Sequence, residues 1–569
     1  MSFSTGRRSS LSVERLSYAA DFETTTDIID GKEHARVWAW GLAIIDGEFP
    51  MEYDNSIDTF IERISMQHGI VYFHNLRFDG SFILPWLMTH GFRHKTKDTW
   101  NSAPGTFQTL ISDMGQWYSI TVVWENGYKT EFRDSHKKIP LSIENIAKSF
   151  KLDNKKGHLD YDAPRPVGHK ITPEELDYLH DDVMILAQAM RQVLNSGMKK
   201  LTVASDSIAE LKRLIPPKVF ANQFPILNLE MDAEIRRAYR GGFTYADSRF
   251  TGRILRSGLV LDVNSLYPSV MRSRLLPYGV PEYVDGKVDP TPSRPLTVFS
   301  ITFTAKLKKD HIPCIQVKSS HIFSDTEYLS EIKEPTTLMM TNVDFDLYND
   351  HYELNIIEYG GGWRFKAADG MFNDYIDKWA KVKENSTGGA REIAKLHLNS
   401  PYGKFASNPN VRSKIPVMVD GVVKLVNGEP ETRDPLYTAV AVFITAYARE
   451  KTIRSAQENY ATFCYADTDS LHLLQDDVPA NLDIDDKRMG AWALEYRFEA
   501  AYIIRPKQYL ERKHDGTYKN AIAGMPVNIS GALTFDDLLG GTRVFEGKLQ
   551  QKTVAGGVIL ENKPFKLQL

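Results

Sequence analysis

The sequence predicts a protein of mixed α/β class, α+β in its arrangement, that is built from several domains. Its 569 residues are 42% hydrophobic and 25% charged, which is ordinary for a globular chain. That length predicts roughly three to five domains rather than one core. Short apolar and β-branched runs indicate strands, and stretches with capping residues and helical periodicity lie between them.

The composition also limits the class of protein. Two cysteines, Cys314 and Cys464, cannot form a disulfide framework, no zinc-type Cys/His spacing occurs, and a reducing intracellular setting is expected. The first 17 residues lack the apolar core of a secretory signal, and no apolar run approaches the roughly twenty residues of a membrane helix. The net charge is −4, but the region from Arg505 onward holds ten Lys and Arg against six Asp and Glu. Total charge therefore does not exclude a nucleic-acid partner.

The first two predicted strands carry acidic residues. Residues 16–25 read as an apolar-leaning strand that ends in Asp21-x-Glu23. Alternate residues of a strand face the same side, so these two carboxylates share a face. Residues 70–80 read as a buried strand that runs into a polar turn, where Asp79 is presented.

A helix start follows at Thr172. Thr172 can cap the helix, Pro173 suits its first position, and acids follow in the first turn. Tyr178 and Asp182 are four residues apart and therefore on one face, whereas the competing Asp181 does not align with Tyr178. Four acids from three separated elements, with one tyrosine, are typical of a two-metal phosphodiesterase, in which the cations activate water and the tyrosine orients the attack.

Glycines and a buried strand mark the next region. Residues 238–243 read A-Y-R-G-G-F, a turn whose amides and Arg240 could hold a backbone phosphate, although an ordinary glycine turn is the alternative. Residues 258–268 are a continuous apolar run with Asp262 near its end. A turn into a helix is expected after it.

Residues 372–402 have helical periodicity, interrupted by Ser-Thr-Gly-Gly at 386–389. With Lys383 on the first helix, the basic side chains of the second are suited to neutralise a triphosphate, although a solvated basic face is the alternative. Pro401 is expected to end the helix, because proline removes a helical hydrogen bond. Four side chains fall at steps of four, four and three, the spacing of one helical face: Arg391, Lys395, Asn399 and Tyr402.

An acidic hairpin follows. Residues 463–474 read F-C-Y-A-D-T-D-S-L-H-L-L, which predicts two strands joined through Asp467-Thr-Asp469. Strand alternation predicts that both carboxylates project from the same side. Such close carboxylates repel unless protons or cations intervene, and hard oxygen ligands suit Mg²⁺. An ordinary polar turn is the competing interpretation, because Asp is a common turn residue.

The N-terminal motifs resemble those of proofreading family B DNA polymerases. Asp-x-Glu, Asn-x-x-x-Asp and Tyr-x-x-x-Asp are similar to the three exonuclease motifs of the DEDDy type, and K-K-G-H-L-D-Y is similar to the family's Lys-and-Tyr motif. Ser135 stands in a single-strand contact motif, with His136 in place of the usual leucine. The resemblance implies that the catalytic residues are Asp21, Glu23, Asp79, Lys156, Tyr178 and Asp182, with metals on the four acids. It implies DNA contacts by Thr24, Asn75, Phe78, Ser135 and Tyr161.

The later motifs resemble polymerase motifs A, B and C and the Lys-x-Tyr motif of the same family. The resemblance implies catalytic metals on Asp262 and Asp469, with a backbone oxygen of Val263 and with the catalytic Asp467 close by. Tyr267 would lie under the sugar and exclude a 2′-hydroxyl. Implied nucleotide contacts are Val263, Ser265, Leu266, Tyr267, Lys383, Arg391, Lys395, Asn399 and Tyr402. Implied contacts to DNA are Tyr239, Gly241, Gly242, Lys507 and Tyr509.

Residues 315–370 and 406–431 exceed a minimal polymerase, and the second stretch has a hairpin signature around Asp420-Gly421. Both are placed like the two insertions of protein-primed family B polymerases of the bacteriophage phi-29 type. The resemblance implies a ribonuclease-H-like exonuclease domain (1–202) and a right-hand polymerase: palm (203–314 and 432–522), terminal-protein insertion (315–370), fingers (371–405), second insertion (406–431) and thumb (523–569).

This resemblance implies a DNA-directed DNA polymerase with a 3′–5′ exonuclease and two Mg²⁺ per active site, replaceable by Mn²⁺. Its partners would be primer–template DNA, single-stranded DNA, deoxynucleoside triphosphates and a terminal protein as primer. A monomer without a membrane partner, in the host cytoplasm, is expected. Processive, strand-displacing synthesis is implied because the second insertion would close a ring around DNA.

Two alternatives are open. A degenerate polymerase fold kept as a DNA-binding scaffold should lack a metal carboxylate, and Asp262, Asp467 and Asp469 are all present. A DNA-primed family B polymerase should lack both insertions.

Overall fold

The structure is a computed structural model that describes residues 15–47, 49–161, 163–317, 328–539 and 543–567. Strands and helices alternate along the whole described chain, so the mixed α/β prediction is confirmed. Residues 318–327 of the expected first insertion lie outside the described residues. No helix in the described part is both long and apolar enough to cross a membrane.

The first region is an eight-stranded sheet with helices on its faces. Its elements are β1 (Leu16–Ile29), β2 (Lys32–Ile44), β3 (Glu52–Asp54), α1 (Ile57–Ser65), β4 (Gly69–Phe73), α2 (Leu76–Thr89), β5 (Arg93–His94), β6 (Thr106–Ile111), β7 (Trp117–Val123), β8 (Lys129–Asp134), α3 (Ile143–Phe150) and α4 (Pro173–Asn195). The strand order is β3-β2-β1-β4-β8-β7-β6-β5, with β1, β4 and β8 parallel. The prediction that the first strand ends at Glu23 is wrong, because β1 continues to Ile29 after a bulge.

The second region contains α5 (Val203–Leu214), α6 (Pro217–Gln223), α7 (Leu229–Arg236), β9 (Thr244–Ala246), β10 (Ile254–Leu255), β11 (Gly258–Val263), α8 (Leu266–Ser273), β12 (Leu276–Val284), β13 (Leu296–Leu307), β14 (Glu331–Thr341), α9 (Asn342–His351) and β15 (Tyr352–Ala368). The expected strands of the first insertion are present as β14 and β15. Together with β12 and β13 they form a four-stranded sheet in the order β12-β15-β13-β14. This sheet crosses the expected boundary at residue 315. The boundary itself stays a prediction.

The last region contains α10 (Asn373–Asn385), α11 (Gly389–Asn399), α12 (Pro401–Phe405), β16 (Asn410–Val419), β17 (Val422–Thr432), α13 (Thr438–Glu458), β18 (Phe463–Asp467), β19 (Ser470–Leu473), β20 (Trp492–Arg505), β21 (Gln508–Lys513), β22 (Tyr518–Ile522), α14 (Val527–Ser530), α15 (Phe535–Leu538), β23 (Arg543–Val554) and β24 (Gly557–Leu567). Helix α11 ends before Pro401, which begins a short new helix, as expected for proline at a first position. The predicted hairpin is β16–β17, and Asp420 and Gly421 at its tip both have positive φ.

A second large sheet is formed by strands between β9 and β22. Its order is β22-β21-β20-β11-β19-β18-β9, with β10 added on β20. Helix α13 is buried along most of its length and contacts α8 and β18. This helix also supports the acidic hairpin, because the Thr452 hydroxyl donates to the Thr468 carbonyl at 2.7 Å.

Two hairpins return to the first sheet. On β23–β24, the Ala555 carbonyl accepts from the Ala35 amide at 2.9 Å, and Lys552 pairs with Glu33 at 2.7 Å. On β16–β17, Ser413 forms an isolated bridge with Ser112. The end of the chain and the β16–β17 hairpin thus both rest on the N-terminal sheet.

Candidate active sites

The first site is a group of four acids on the N-terminal sheet, Asp21, Glu23, Asp79 and Asp182, named here the N-terminal acid cluster. Asp21 and Glu23 lie on β1, at the middle of the sheet. Asp79 is in the first turn of helix α2, so the prediction that it lies in a polar turn is wrong.

Helix α2 begins at Leu76, before Asp79, because hydrogen bonds fix the backbone at its N-terminus. Asn75 has a left-handed φ of 72°, and the Asp134 carboxylate accepts from the amides of Asn75 and Leu76 at 3.1 and 3.4 Å. A side-chain oxygen that accepts from the free amides of a helix start stabilises that start. Asp79 is thereby held beside β1.

The predicted helix start at Thr172 is confirmed. Thr172 caps α4 in a capping box, with Pro173 at the first position. Tyr178 and Asp182 are both buried on the face that packs on the sheet. Asp181 instead accepts from the Asn154 amide at 2.7 Å, which supports the choice of Asp182.

Burial and mutual repulsion raise the pKa values of the acids in this cluster. The pKa of Asp21 rises to about 7, first through burial and then through the Asp182 carboxylate. Burial, reinforced by Asp21, raises the pKa values of Glu23 and Asp79 well above the usual range. Asp79 and Asp182 each keep one buried oxygen without a hydrogen-bond partner. A set of buried, underpaired carboxylate oxygens is suited to hard divalent cations such as Mg²⁺.

Lys156 and two tyrosines border the cluster. Lys156 Nζ lies 2.8 Å from Asp182 Oδ2, and the hydroxyls of Tyr161 and Tyr178 are 2.8 Å apart. Burial raises the pKa of Tyr178, with a further contribution from Asp182, so its hydroxyl stays protonated. Tyr161 is 65% exposed and can contact a molecule in solution.

The expected DNA contacts around this cluster divide into two groups. Asn75 is exposed, and Thr24 and Phe78 are partly exposed. Ser135 is fully buried, and its hydroxyl donates to the Phe73 carbonyl at 3.0 Å. The Ser135 hydroxyl therefore already has a partner within the protein, and its contact with DNA stays a prediction.

His74 was missed by the sequence analysis. Its Nδ1 lies 3.0 Å from Ser135 Oγ, and its Nε2 lies 2.7 Å from the Leu141 carbonyl. Burial lowers the pKa of His74 to about 4, so the ring is neutral. No local pattern distinguishes it, because its partners lie more than sixty residues away.

The second site consists of Asp262, Asp467 and Asp469, named here the C-terminal acid cluster. Asp262 on β11 and Asp467 on β18 both lie opposite Ser470 of β19, so three adjacent strands bring the acids together. The Val263 amide donates to the Asp469 carbonyl at 2.8 Å and holds the hairpin turn against β11. All three carboxylates are half-buried and line one cavity of about 400 Å³.

The prediction that strand alternation places Asp467 and Asp469 on the same side is wrong. Asp469 lies in a two-residue turn rather than in a strand, and Thr468 has φ of 61°. Strand alternation does not apply across such a turn. The two side chains nevertheless line the same cavity.

Charges in this cavity are only partly balanced. Burial raises the pKa of Asp262 to about 7, with further contributions from Asp469 and Glu495. Burial also raises the pKa of Asp469, opposed by a backbone hydrogen bond. Lys507 Nζ lies 2.6 Å from Asp467 Oδ2. Lys519 also lines the cavity. A cavity that collects several carboxylate oxygens again suits divalent cations.

The glycine-rich turn lies directly against the acidic hairpin. The Thr468 amide donates to the Phe243 carbonyl at 2.7 Å, and a Cβ at Gly242 would lie 2.5 Å from Thr468 Oγ1. Arg240 is buried and donates to the Met339 carbonyl at 3.0 Å, so its suggested phosphate contact is contradicted.

Three other residues of this turn are accessible to a molecule in solution. Gly241 is exposed, while Tyr239 and Gly242 are partly exposed. The buried Arg449 guanidinium fixes the turn by donating to the Gly241 carbonyl at 2.9 Å, and it pairs with Asp344 at 2.7 Å.

The expected nucleotide contacts surround the start of α8. Ser265 has φ of 55°, and Lys383 Nζ donates to its hydroxyl at 2.9 Å. The Tyr267 and Tyr402 rings stack with centroids 4.0 Å apart. Leu266 begins the helix as a buried residue, and Asn399 is exposed.

The cations of this group are close enough to repel one another. The pKa of Lys383 is lowered, first by burial and then by Arg391 and Lys395. Lys395 pairs with Glu392 at 2.7 Å, and Arg391 donates to the Lys383 carbonyl at 2.7 Å. Three cations with one acidic partner favour a polyanion beside Asp262.

The two expected DNA contacts of the β20–β21 hairpin differ in their exposure. Lys507 is partly exposed, whereas Tyr509 is only 9% exposed and lines the acid cavity. Glu495 and Thr244 were not predicted from the sequence as members of this site. Glu495 lines the same cavity, and the Thr244 hydroxyl donates to Asp467 at 2.8 Å. Neither belongs to a spaced acidic motif, so only strand pairing reveals it.

Among the described residues, no group of three or more His, Cys, Asp or Glu side chains is arranged to hold a metal ion. In both clusters a lysine pairs with one of the acids instead, Lys156 with Asp182 and Lys507 with Asp467. Carboxylates that repel one another separate or recruit cations, and these lysines supply part of that charge.

The family model for DNA polymerase type B, organellar and viral, matches residues 61–167 and 164–487. A DNA polymerase of Bacillus phage M2 is 41% identical over 98% of this chain and 100% of its own length. Phi29 DNA polymerase in complex with primer–template DNA and incoming nucleotide substrates has a TM-score of 0.90 at 40% identity, over 98% of this chain and 100% of that one. Its complex with single-stranded DNA gives a TM-score of 0.90 at 39% identity with the same coverage.

Proposed function

Because the chain belongs to the organellar and viral type B DNA polymerases, and among them to the phi29 type, we propose that it synthesises DNA at the C-terminal acid cluster and removes mispaired 3′ ends at the N-terminal acid cluster. The observation that carries the proposal is the presence of two separate acid clusters, each with an aspartate whose pKa is raised to about 7 and with a lysine paired to another of its acids.

In the C-terminal site, the carboxylates of Asp262 and Asp469 lie beside both the primer end and the triphosphate. Lys383, Arg391 and Lys395 neutralise the triphosphate beside them, in accord with their mutual repulsion. The stacked rings of Tyr267 and Tyr402 form a flat surface under the nucleotide sugar. A 2′-hydroxyl has no room against this surface, so deoxynucleotides are selected.

In the N-terminal site, the protonated Tyr178 hydroxyl orients the attacking water, and its bond to Tyr161 holds it in place. Lys156 neutralises charge on the scissile phosphate when the strand end displaces it from Asp182. The exposed Asn75 and the partly exposed Phe78 and Thr24 guide a single strand.

Both sites are suited to divalent metal ions. Asp21, Glu23, Asp79 and Asp182 would hold two in the first site, and Asp262 and Asp469 with the Val263 carbonyl two in the second. Bound Mg²⁺, or Mn²⁺ in its place, supplies Lewis acidity and an activated oxygen nucleophile.

The finer properties extend this proposal. We assign residues 1–202 to the exonuclease domain and the remainder to palm, fingers, thumb and two insertions, as the sequence predicts. The solved complexes of phi29 DNA polymerase with primer–template DNA and incoming nucleotides, and with single-stranded DNA, support the same partners here. Priming by a terminal protein, strand displacement and action as a monomer in the host cytoplasm complete the proposal.

The decisive experiment extends a primer annealed to single-stranded circular DNA, with Mg²⁺ and four deoxynucleotides but no helper protein. Products many times the circle length support synthesis with displacement. Products that stop after one circuit leave the polymerase and remove strand displacement. No extension with intact digestion would instead favour a degenerate polymerase site.

Protein priming has its own test. The enzyme is incubated with its terminal protein, one labelled deoxynucleotide and no DNA primer. Label attached to the terminal protein supports priming from its hydroxyl group, whereas extension of DNA primers alone contradicts it.

A further inference from the structure

A buried polar cluster beside the C-terminal acids has no role in the reaction proposed above. It consists of His472 on β19, Tyr496 on β20 and Glu511 on β21, and is named here the buried clamp. His472 and Glu511 are 1% and 0% exposed. His472 Nδ1 lies 2.7 Å from Glu511 Oε1, and the Tyr496 hydroxyl donates to Glu511 Oε2 at 2.6 Å. Both oxygens of the buried carboxylate therefore have a partner.

Stability alone does not explain this cluster. Burying a carboxylate is unfavourable even when it is hydrogen-bonded, and apolar side chains of similar volume often give equal or greater stability. Directional hydrogen bonds instead select one geometry among several possible packings. Burial and the Glu511 carboxylate raise the pKa of Tyr496, so its hydroxyl keeps the proton that it donates.

The clamp joins two layers of one folded sheet. Strand β20 pairs with β11 through residues 492–498 and with β21 through residues 498–505. In strand order β21 lies four places from β18, which is about 19 Å in a flat sheet. Yet the rings of Tyr509 on β21 and Tyr465 on β18 are only 4.9 Å apart. The β20–β21 hairpin must therefore fold back over the face of β11, β19 and β18.

The clamp lies inside the thin core between these layers. The His472 ring is edge-on to Tyr465 at 4.9 Å and lies 5.2 Å from Tyr509. Val260 of this core lies opposite both His472 and Tyr496 in the strand pairing. The hydrogen bonds to Glu511 thus join the two layers within a core that is otherwise mostly apolar.

The hairpin that the clamp holds carries Lys507 at its tip. Lys507 has φ of 59°, its amide donates to the Tyr465 hydroxyl at 3.0 Å, and its Nζ reaches Asp467. His472 and Tyr496 line the same cavity as the three acids. A shift of the hairpin would therefore change the distance between Lys507 and the acids.

We infer that the buried clamp is a positioning device for the primer strand: it fixes the β20–β21 hairpin over the acidic turn, so that Lys507 and Tyr509 hold the primer end at Asp262 and Asp469. This inference rests on the proposed function of the C-terminal acid cluster. His472, Tyr496 and Glu511 act through the hairpin and are positioning residues.

The test measures the primer–template Kd, and the kcat and KM for single-nucleotide addition, in E511A, E511Q and Y496F. E499Q is the matched control, because Glu499 lies on the same hairpin and pairs with Arg512 outside the clamp. E511A should weaken primer–template binding or lower kcat about tenfold to a hundredfold, because small misplacements are costly, while KM for the nucleotide stays within about threefold. Y496F loses one hydrogen bond and should lose about threefold to tenfold in the same quantity. E511Q keeps the shape and should recover most of the E511A loss.

Several results would overturn the inference. These are an E511A enzyme no different from E499Q, an E511Q enzyme as damaged as E511A, or a nucleotide KM that rises as much as the primer–template Kd. Digestion of single-stranded DNA checks that each variant is folded. If E511A fails that check, Y496F and E511Q decide, and wild-type primer binding in Y496F then refutes the clamp. Retained synthesis in a D469A enzyme would instead refute the proposed function, and no clamp variant bears on that result.

Discussion

The two acid clusters contain the same residue types in different surroundings. Glu23, Asp79 and Asp182 are at most 6% exposed and Asp21 is half-buried beside them, whereas Asp262, Asp467 and Asp469 are all half-buried around an open cavity. If the proposed functions hold, the closed cluster should admit one strand end at a time and the open cluster a duplex end with a triphosphate. Access to the acids, rather than the acids themselves, would then distinguish the site of digestion from the site of synthesis.

The largest expected effect is a double dissociation between the clusters. D467A or D469A should lower nucleotide incorporation by about a thousandfold or more, because D469A removes a proposed metal-binding carboxylate and D467A removes the catalytic carboxylate beside it, each worth several kcal/mol of barrier. Digestion of single-stranded DNA should remain. The measurement is single-turnover incorporation beside single-strand digestion for each variant.

The converse variant is D21A combined with E23A. It should lose digestion of a mismatched 3′ end by a similar factor and keep primer extension. If either variant loses both activities equally, the two clusters do not act as separate sites and the comparison fails.

A smaller effect is expected from removing the β16–β17 hairpin, which contacts the N-terminal sheet and helix α2. Replacing residues 412–430 with a short turn should shorten products on a circular template about tenfold or more, because a closed ring keeps DNA at a high local concentration. Single-nucleotide addition should change by less than about twofold. Unchanged product length would refute the ring.

Gly242→Ala should affect the open cluster and leave the closed cluster unchanged. The added Cβ would meet Thr468 Oγ1 at 2.5 Å and displace the acidic turn. Incorporation should fall about tenfold, since a shift of an ångström at reacting groups is costly, while digestion is unchanged. Adding T468A removes the clashing oxygen and should restore part of the activity. A double variant no better than G242A would show that the clash is not the cause.

The smallest effect is a pH dependence of the metal-free protein. The pKa values of Asp21 and Asp262 are about 7 in the folded chain, above the usual 3.8 of an unfolded aspartate. The folded chain thus binds these protons more tightly, and its stability falls as pH rises from about 4 through about 7. In EDTA, the Tm should be a few degrees lower at about pH 8 than at about pH 6, and Mg²⁺ should reverse the loss.

This dependence also separates the two clusters. Asp79 belongs to the closed cluster, whose Glu23 and Asp79 have pKa values well above the usual range. D79N should therefore flatten the pH profile more than D262N does. An equal effect of both variants, or a Tm that rises between these pH values without metal, would contradict the assigned electrostatics.

Much of the site could be predicted because its signals are local. The capped start at Thr172 places Tyr178 and Asp182 on one face, and α4 has that geometry. The Asp420-Gly421 turn forms its hairpin, and Pro401 separates α11 from α12. In each case a few neighbouring residues decide the backbone, so spacing is sufficient information.

Motif spacing alone identifies the acids and the tyrosine of the two clusters, together with the helices and hairpins that carry them. The burial of Ser135, the hydrogen bond from Arg240 to a carbonyl, and the sheet that β14 and β15 complete with strands before residue 315 become visible only in the folded chain. Tertiary structure alone brings Glu511 to His472 from across a folded sheet. The physical reason is that burial and long-range pairing depend on the packing of residues far apart in the chain, which no local spacing records.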